Sequence, residues 1–456
     1  MNRRELLKNS GLAAALASAG GAASPARADA NSRIGVGFIG VGGMGTSNLR
    51  DFMRNSDMET VAVCDVHGPT LERAVARTEG KAKPYTDYRK LLEDPNVDAV
   101  VISTPEHWHA LMSIDACNAG KDVYVEKPAS HYIRDGRLMV EAARRNKRVV
   151  QVGSQQRSGA HFQSAMQHIH DGTIGDVYYV AVWNHSSRLG RNGDDEEPPN
   201  VLADLDWDMW LGPAPQRPYE PGIWETRGRK YWNFYGGMLT EWGAHLLDVA
   251  LWGMKANSPR TVAASGGQFF DKDGEIPDTL SVNYEFDGFL LNYSVLRHNS
   301  FGHNGSEGAA RFGSYGTQFH GAKGTLFVDR QGYTITPQPL RKADPKHPAV
   351  LAAAGEEPGE AYSYYARDIE PEHGDTSDQH FSHVRNFLNC VKSRKTPNAD
   401  IEVGHYTNTA CRLGNIAYRV GRRLTWDAAK EEVVGDPEAN KLVIGTYREP
   451  WAPKGI

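Results

Sequence analysis

The stretch IGVGFIGVGGMG, Ile34 to Gly45, changes character halfway along, and the fold follows from that change. Its first half alternates glycine with branched or aromatic residues, as a strand buried on both faces does. Its second half, Gly40-Val41-Gly42-Gly43-Met44-Gly45, is a GxGxxG where a strand passes into a helix. The three glycines serve a tight turn, bare backbone against a pyrophosphate, and close packing of helix on strand. The helix that follows directs its N-terminal amides at the phosphates. Glu59 to Cys64 reads as a second strand, ended by Asp65 about twenty residues past the last glycine, the spacing of an acid that holds an adenosine ribose. A carboxylate there bonds the 2′-hydroxyl and repels a 2′-phosphate, which favours NAD over NADP. Gly40, Gly42, Gly43, Met44, Gly45 and Asp65 are therefore cofactor-binding candidates.

The same rhythm continues to Arg157. Val97 to Thr104 is a short apolar run stopped by Pro105, and a helix from about His109 to Ala119 ends at Gly120. Asp122 to Val125 is a strand running into Glu126-Lys127-Pro128; Ile133 to Asn146 is a helix leading to the strand Arg148 to Gly153. Strands joined by helices of this length predict a doubly wound parallel sheet, a Rossmann domain over residues 32–157. Ligands of such sheets lie beyond the carboxyl ends of the strands, which puts Thr104, Pro105, Glu126, Lys127, Gln155 and Arg157 on one rim with the glycine loop. After Arg157 the period becomes two, at Val177 to Trp183, Leu280 to Phe286, Phe289 to Leu296 and Thr325 to Asp329. That predicts a second α/β domain, residues 158–456, around an open, mainly antiparallel sheet. Phe381 to Lys392 and Thr407 to Val420 space their apolar residues three and four apart, as two helices that pack together and close the chain. The acidic run Asp194 to Glu197 reads as a solvated loop or a lid, and the proline-rich Pro337 to Asp378 as a surface wrap.

Residues 1–30 read as an address rather than a fold. Arg3-Arg4 precedes a weakly apolar Ala/Gly-rich run, and Ala26-Arg27-Ala28 offers a cleavage site, the pattern of a twin-arginine export signal and a periplasmic destination. The apolar run is too short for a membrane span. A net charge of −5 with 40% hydrophobic residues gives no basic surplus for nucleic acid. Cys64, Cys117, Cys390 and Cys411 fall largely in predicted core elements, as buried free thiols do, with no CxxC or zinc spacing.

The richest chemical stretch is Tyr231 to Trp252. A helix from Gly237 places Glu241, His245 and Asp248 on one face, where a carboxylate one turn away orients the histidine and raises its pKa. Trp232, Tyr235, Trp242 and Trp252 supply flat faces of the kind that pack on sugar rings. A Glu–His pair can hold a metal, but no third ligand is evident, so no metal is expected.

At this point the chain resembles the Gfo/Idh/MocA oxidoreductase family. The matching pieces are the GxGxxG with Asp65, Thr104-Pro105 with His109, Glu126-Lys127-Pro128, and Gly236-Gly237 running into Glu241-x-x-x-His245. The resemblance implies a Rossmann domain, then an α/β domain whose open sheet makes a homo-oligomer, dimer or tetramer. It implies a tightly bound NAD and a catalytic set of Lys127, Glu241 and His245, although the family's usual residue at the Glu241 position is aspartate. It further implies a sugar, polyol or glycoside substrate: His245 takes the hydroxyl proton as hydride leaves, Glu241 orients it, and Lys127 donates to the same oxygen. His107 stands as a substrate contact or an exposed residue, and Arg157 as a substrate ligand or an interface ion pair, with Trp232, Tyr235 and Asp248 beside them. Some members of the family are glycosidases that oxidise, eliminate and re-reduce with the same NAD, which is the alternative reading. A non-catalytic NAD- or sugar-binding protein is the third.

Overall fold

A computed structural model describes residues 33–186, 201–226, 228–300, 314–338, 340–341, 365–366 and 369–453. The export signal, the acidic run and most of the proline-rich stretch lie outside these residues.

Six strands build the first sheet: β1 (Ile34–Ile39), β2 (Met58–Cys64), β3 (Lys83–Tyr85), β4 (Ala99–Ile102), β5 (Asp122–Val125) and β6 (Val150–Val152). All pair in parallel, in the order β3-β2-β1-β4-β5-β6. Every residue of β1, β4, β5 and β6 is buried, which is why these runs are apolar without alternation. The order reverses between β1 and β4, so the crevice that takes a ligand opens at their carboxyl ends.

The second sheet has ten strands and is antiparallel except where Leu290–Leu296 runs parallel to Val177–His185. Thr261–Gly267, which sequence periodicity did not mark, is one of its strands. One face is covered by the helices Ala160–His170, Gly243–Met254 and Ile401–Val420, whose Met166, Leu246, Leu247, Ala250, Leu413 and Ala417 bury against Val180, Val182 and Phe319. Thr317 ties the sheet to the middle helix, its Oγ1 donating to the Leu246 carbonyl at 3.1 Å.

The two late helices do form, but they belong to different cores. Gln379–Ser393 lies against the parallel sheet, with Phe387 at 6.1 Å from Phe52 and 5.8 Å from Tyr124. Ile401–Val420 joins the core of the second sheet instead. A hairpin and the helix Pro437–Ile444 follow them, so they do not close the chain. All four cysteines are buried free thiols.

Candidate active site

The glycine loop is built for an anion. Gly40 adopts φ +77°, and a Cβ on Gly45 would lie 1.9 Å from the Gly40 carbonyl oxygen, so a side chain at either position breaks the turn. A Cβ on Gly42 would meet nothing within 4 Å, which leaves that backbone open to a ligand. Helix α1 (Gly43–Met53) starts with no side-chain cap and no acid in its first turn, so its leading amides await an acceptor. Asp65 supports the loop directly: Oδ2 accepts from the Val41 amide at 2.9 Å and Oδ1 from the His67 amide at 3.0 Å. Burial raises its pKa, opposed by those two amides. Each oxygen keeps a lone pair for a ribose hydroxyl. These residues fit a nicotinamide dinucleotide.

At the end of β5, Glu126 is buried, its Oε1 accepting from Asn48 Nδ2 at 3.0 Å, with Gln155 Nε2 at 3.4 Å. Burial raises its pKa. Both Glu126 and Gln155, expected at the cofactor, are buried and brace one another. His109 is also a brace: its ring spans the carbonyls of Thr104 at 2.8 Å and Pro128 at 2.7 Å. It thereby joins the two rim turns, Thr104-Pro105 and the cis Lys127-Pro128.

Lys127 reaches across to the second half of the chain, Nζ donating to the Glu241 carbonyl at 3.1 Å and lying 3.8 Å from Oε1. The Glu241 carboxylate also accepts from the Tyr235 hydroxyl at 2.6 Å and from Arg229 at 3.1 Å. Burial pushes this carboxyl up, but Lys127, Arg229 and Tyr235 together hold it below the usual value.

The expected single helix through this region is two. Gly237–Glu241 ends, Trp242 takes φ −98° and ψ −33°, and Gly243–Met254 begins. Neither Glu241 nor Asp248 forms an ion pair with His245 among the described residues, because Lys127, Arg229 and Tyr235 take the first and Arg157 and Thr407 the second. His245 is 5% exposed, and its Nδ1 has no hydrogen-bond partner there. Its pKa is lowered rather than raised: burial is the main cause, followed by the charges of Arg330 and Lys127. The histidine is held neutral, ready to accept a proton, without a carboxylate partner.

The five expected substrate contacts are engaged with protein groups. Asp248 is fully buried, taken by Arg157 Nε at 2.7 Å and Thr407 Oγ1 at 2.9 Å. Arg157 thus forms the interface ion pair, beside Trp252 on a separate cavity of about 270 Å³. His107 is packed among Trp108, Trp210 and Phe234, its Nε2 on the Trp210 carbonyl at 3.0 Å, and burial lowers its pKa to about 3. Trp232 lies by Tyr418 and Arg419. Tyr235 is buried on Glu241, as described above. The aromatic wall beside His245 is instead Trp242 (6.1 Å between rings) with Tyr315 at 4.7 Å from Trp242. Sequence reading missed Arg330, Tyr315 and Asn48, because no local motif marks them.

A buried network fixes the two halves around this site. Glu106 accepts from Arg412 Nη2 at 2.6 Å and Thr240 Oγ1 at 3.1 Å, and Arg412 also donates to the Ser130 carbonyl at 2.9 Å. Burial would raise the Glu106 pKa, yet Arg412, ahead of His131, brings it to about 2. Its stabilising contribution is therefore full above the ordinary carboxylate value and is lost as pH falls toward 2. Arg412→Met leaves the carboxylate buried and uncompensated; we expect a loss of about 3–5 kcal/mol, read as a lower denaturant midpoint at neutral pH.

Comparisons with known proteins agree with this fold. The model of an oxidoreductase family with an NAD-binding Rossmann fold matches residues 34–154, and that of its C-terminal alpha/beta domain matches 182–287 and 358–453. A glycosyl hydrolase family 109 protein 1 of Shewanella strain MR-4 is 31% identical over 164 residues, which are 34% of this chain and 36% of that one. An alpha-N-acetylgalactosaminidase of Shewanella oneidensis is 30% identical over the same shares. The match thus spans about a third of the length of these curated relatives. The WlbA dehydrogenase of Bordetella pertussis, solved with NADH and UDP-GlcNAcA, superposes with a TM-score of 0.60 at 19% identity, over 87% of this chain and 99% of that one. At that identity the likeness is one of fold.

Proposed function

The chain belongs to the Gfo/Idh/MocA oxidoreductase family, with its NAD-binding Rossmann fold, and we propose that it oxidises a hydroxyl of a sugar, polyol or glycoside. One observation carries this reading: the ammonium of Lys127, at the carboxyl end of β5, stands close enough to the buried His245 for its charge to act on the imidazole. Gly40 to Gly45, the α1 amides and Asp65 would hold NAD, which when bound supplies a two-electron hydride acceptor. His245 accepts the hydroxyl proton on its neutral imidazole. Lys127 donates to the same oxygen while the Glu241 carbonyl and carboxylate fix its position. Trp242 and Tyr315 give the ring a flat apolar wall. Reduced nicotinamide formed from NAD and a panel of sugars is the test; no turnover on any of them would count against it.

The glycosyl hydrolase relatives support a second reading, glycoside cleavage with NAD retained and no net reduction. Aglycone release from aryl glycosides without accumulation of reduced nicotinamide separates it from the first. Arg3-Arg4 ahead of the Ala/Gly-rich run and Ala26-Arg27-Ala28 support export through the twin-arginine route, and the family resemblance supports a homo-oligomer built on the open sheet. Fractionation of cells and the mass of the native particle test these two points. Among the described residues no helix is long and apolar enough to cross a membrane.

Asp65 sets cofactor choice. Asp65→Ser removes both loop supports and the ribose acceptor, so NAD affinity should fall about tenfold while NADP binding improves. Titration of both nucleotides checks this, and an unchanged preference would place the ribose elsewhere.

A further inference from the structure

Arg330 follows the strand Gly324–Asp329 and stands on the His245 side of the crevice. Its guanidinium lies 4.9 Å from the centre of the Trp242 ring, in the same wall that flanks His245. Its Nε is buried without a hydrogen-bond partner, and no carboxylate pairs with it among the described residues. The other arginines around this cleft each hold one: Arg229 has Glu241, Arg157 has Asp248, and Arg412 has Glu106. Glu126 is close enough for its charge to act on Arg330, but its Oε1 is taken by Asn48 and Gln155 and it forms no ion pair there. Among the described residues the Nη groups are bonded to no protein acceptor and are not among the buried atoms, so the ring contact leaves them open to a ligand acceptor.

We propose that Arg330 is a specificity-determining residue that receives a carboxylate carried by the sugar, so that the substrates are acidic sugars of the hexuronate class. The inference rests on the function proposed above. A planar guanidinium fork matches a carboxylate with two parallel hydrogen bonds. One such cation suits a monoanion, whereas a phosphate dianion calls for more positive charge than the wall of Trp242 and Tyr315 provides.

The test uses the NAD-loaded protein with matched pairs of methyl hexuronides and methyl hexosides (gluco, galacto and manno), together with glucose 6-phosphate, on the wild type, Arg330→Gln and Arg330→Lys. The wild type should favour the uronide of at least one pair by about 30- to 100-fold in kcat/KM, and Arg330→Gln should abolish that preference by lowering the uronide far more than the hexoside. Arg330→Lys, which keeps charge without the fork, should retain about a tenth of it. Equal losses on uronide and hexoside overturn the proposal, as does a preference for the phosphate. Weaker NAD binding by Arg330→Gln, read from tryptophan quenching, assigns the residue to the cofactor and also overturns it. Calorimetry separates the two levels of inference. Uronide binding that Arg330→Gln abolishes, without turnover by either protein, upholds the pocket and rejects the dehydrogenase; no uronide binding to the wild type rejects the pocket.

Discussion

His245→Asn should lower turnover by about 10²- to 10⁴-fold while leaving NAD affinity and the unfolding midpoint close to those of the wild type. The expectation follows from where the imidazole sits. It is buried, its Nδ1 has no partner, and removing it leaves no orphaned donor behind. A base must be unprotonated to work, and burial with Arg330 and Lys127 nearby disfavours the imidazolium. Activity that needs the neutral form is present above the folded pKa and lost as pH falls through it. The acid limb of kcat/KM should therefore lie below the ordinary histidine value of 6.5. An acid limb above that value, or a variant of nearly full activity, would assign the proton to another group.

Lys127→Met should cost about 10²- to 10³-fold in kcat, because a fixed cation facing developing negative charge is lost from a site with little water. Its anchor is the Glu241 carbonyl, backed by the carboxylate at 3.8 Å. Glu241→Gln discriminates two roles for that acid. If it serves Lys127, Arg229 and Tyr235, as the contacts indicate, the variant loses part of kcat and keeps the acid limb where it was. If it oriented His245, the limb itself would move.

The dinucleotide half of the fold was legible because its signals are local. A GxGxxG, an acid at the end of the next strand, and apolar runs that stop at Pro105 and Pro128 each declare themselves within a few residues. Lys127 and His245 were singled out from equally local patterns, Glu126-Lys127-Pro128 and Glu241-x-x-x-His245. The expected pairing of Glu241 and Asp248 with His245 does not form, since counting along one helix cannot see the partners that other elements bring: Lys127, Arg229 and Tyr235 to Glu241, Arg157 and Thr407 to Asp248. His107, Arg157 and Asp248 carry chemistry-bearing side chains, yet packing at the interface of the two halves uses all three. Arg330 is the converse case. It follows an ordinary strand, more than eighty positions from His245, and only the winding of the ten-stranded sheet brings the two together.

The most direct test is an experimental structure of the protein with NAD bound. The nicotinamide ring should lie between Lys127 Nζ and His245, with the pyrophosphate on the backbone of Gly40 to Gly45 and the adenosine ribose on Asp65. A nucleotide bound with its ring pointing away from both side chains, or no nucleotide bound at saturating NAD, would contradict the account.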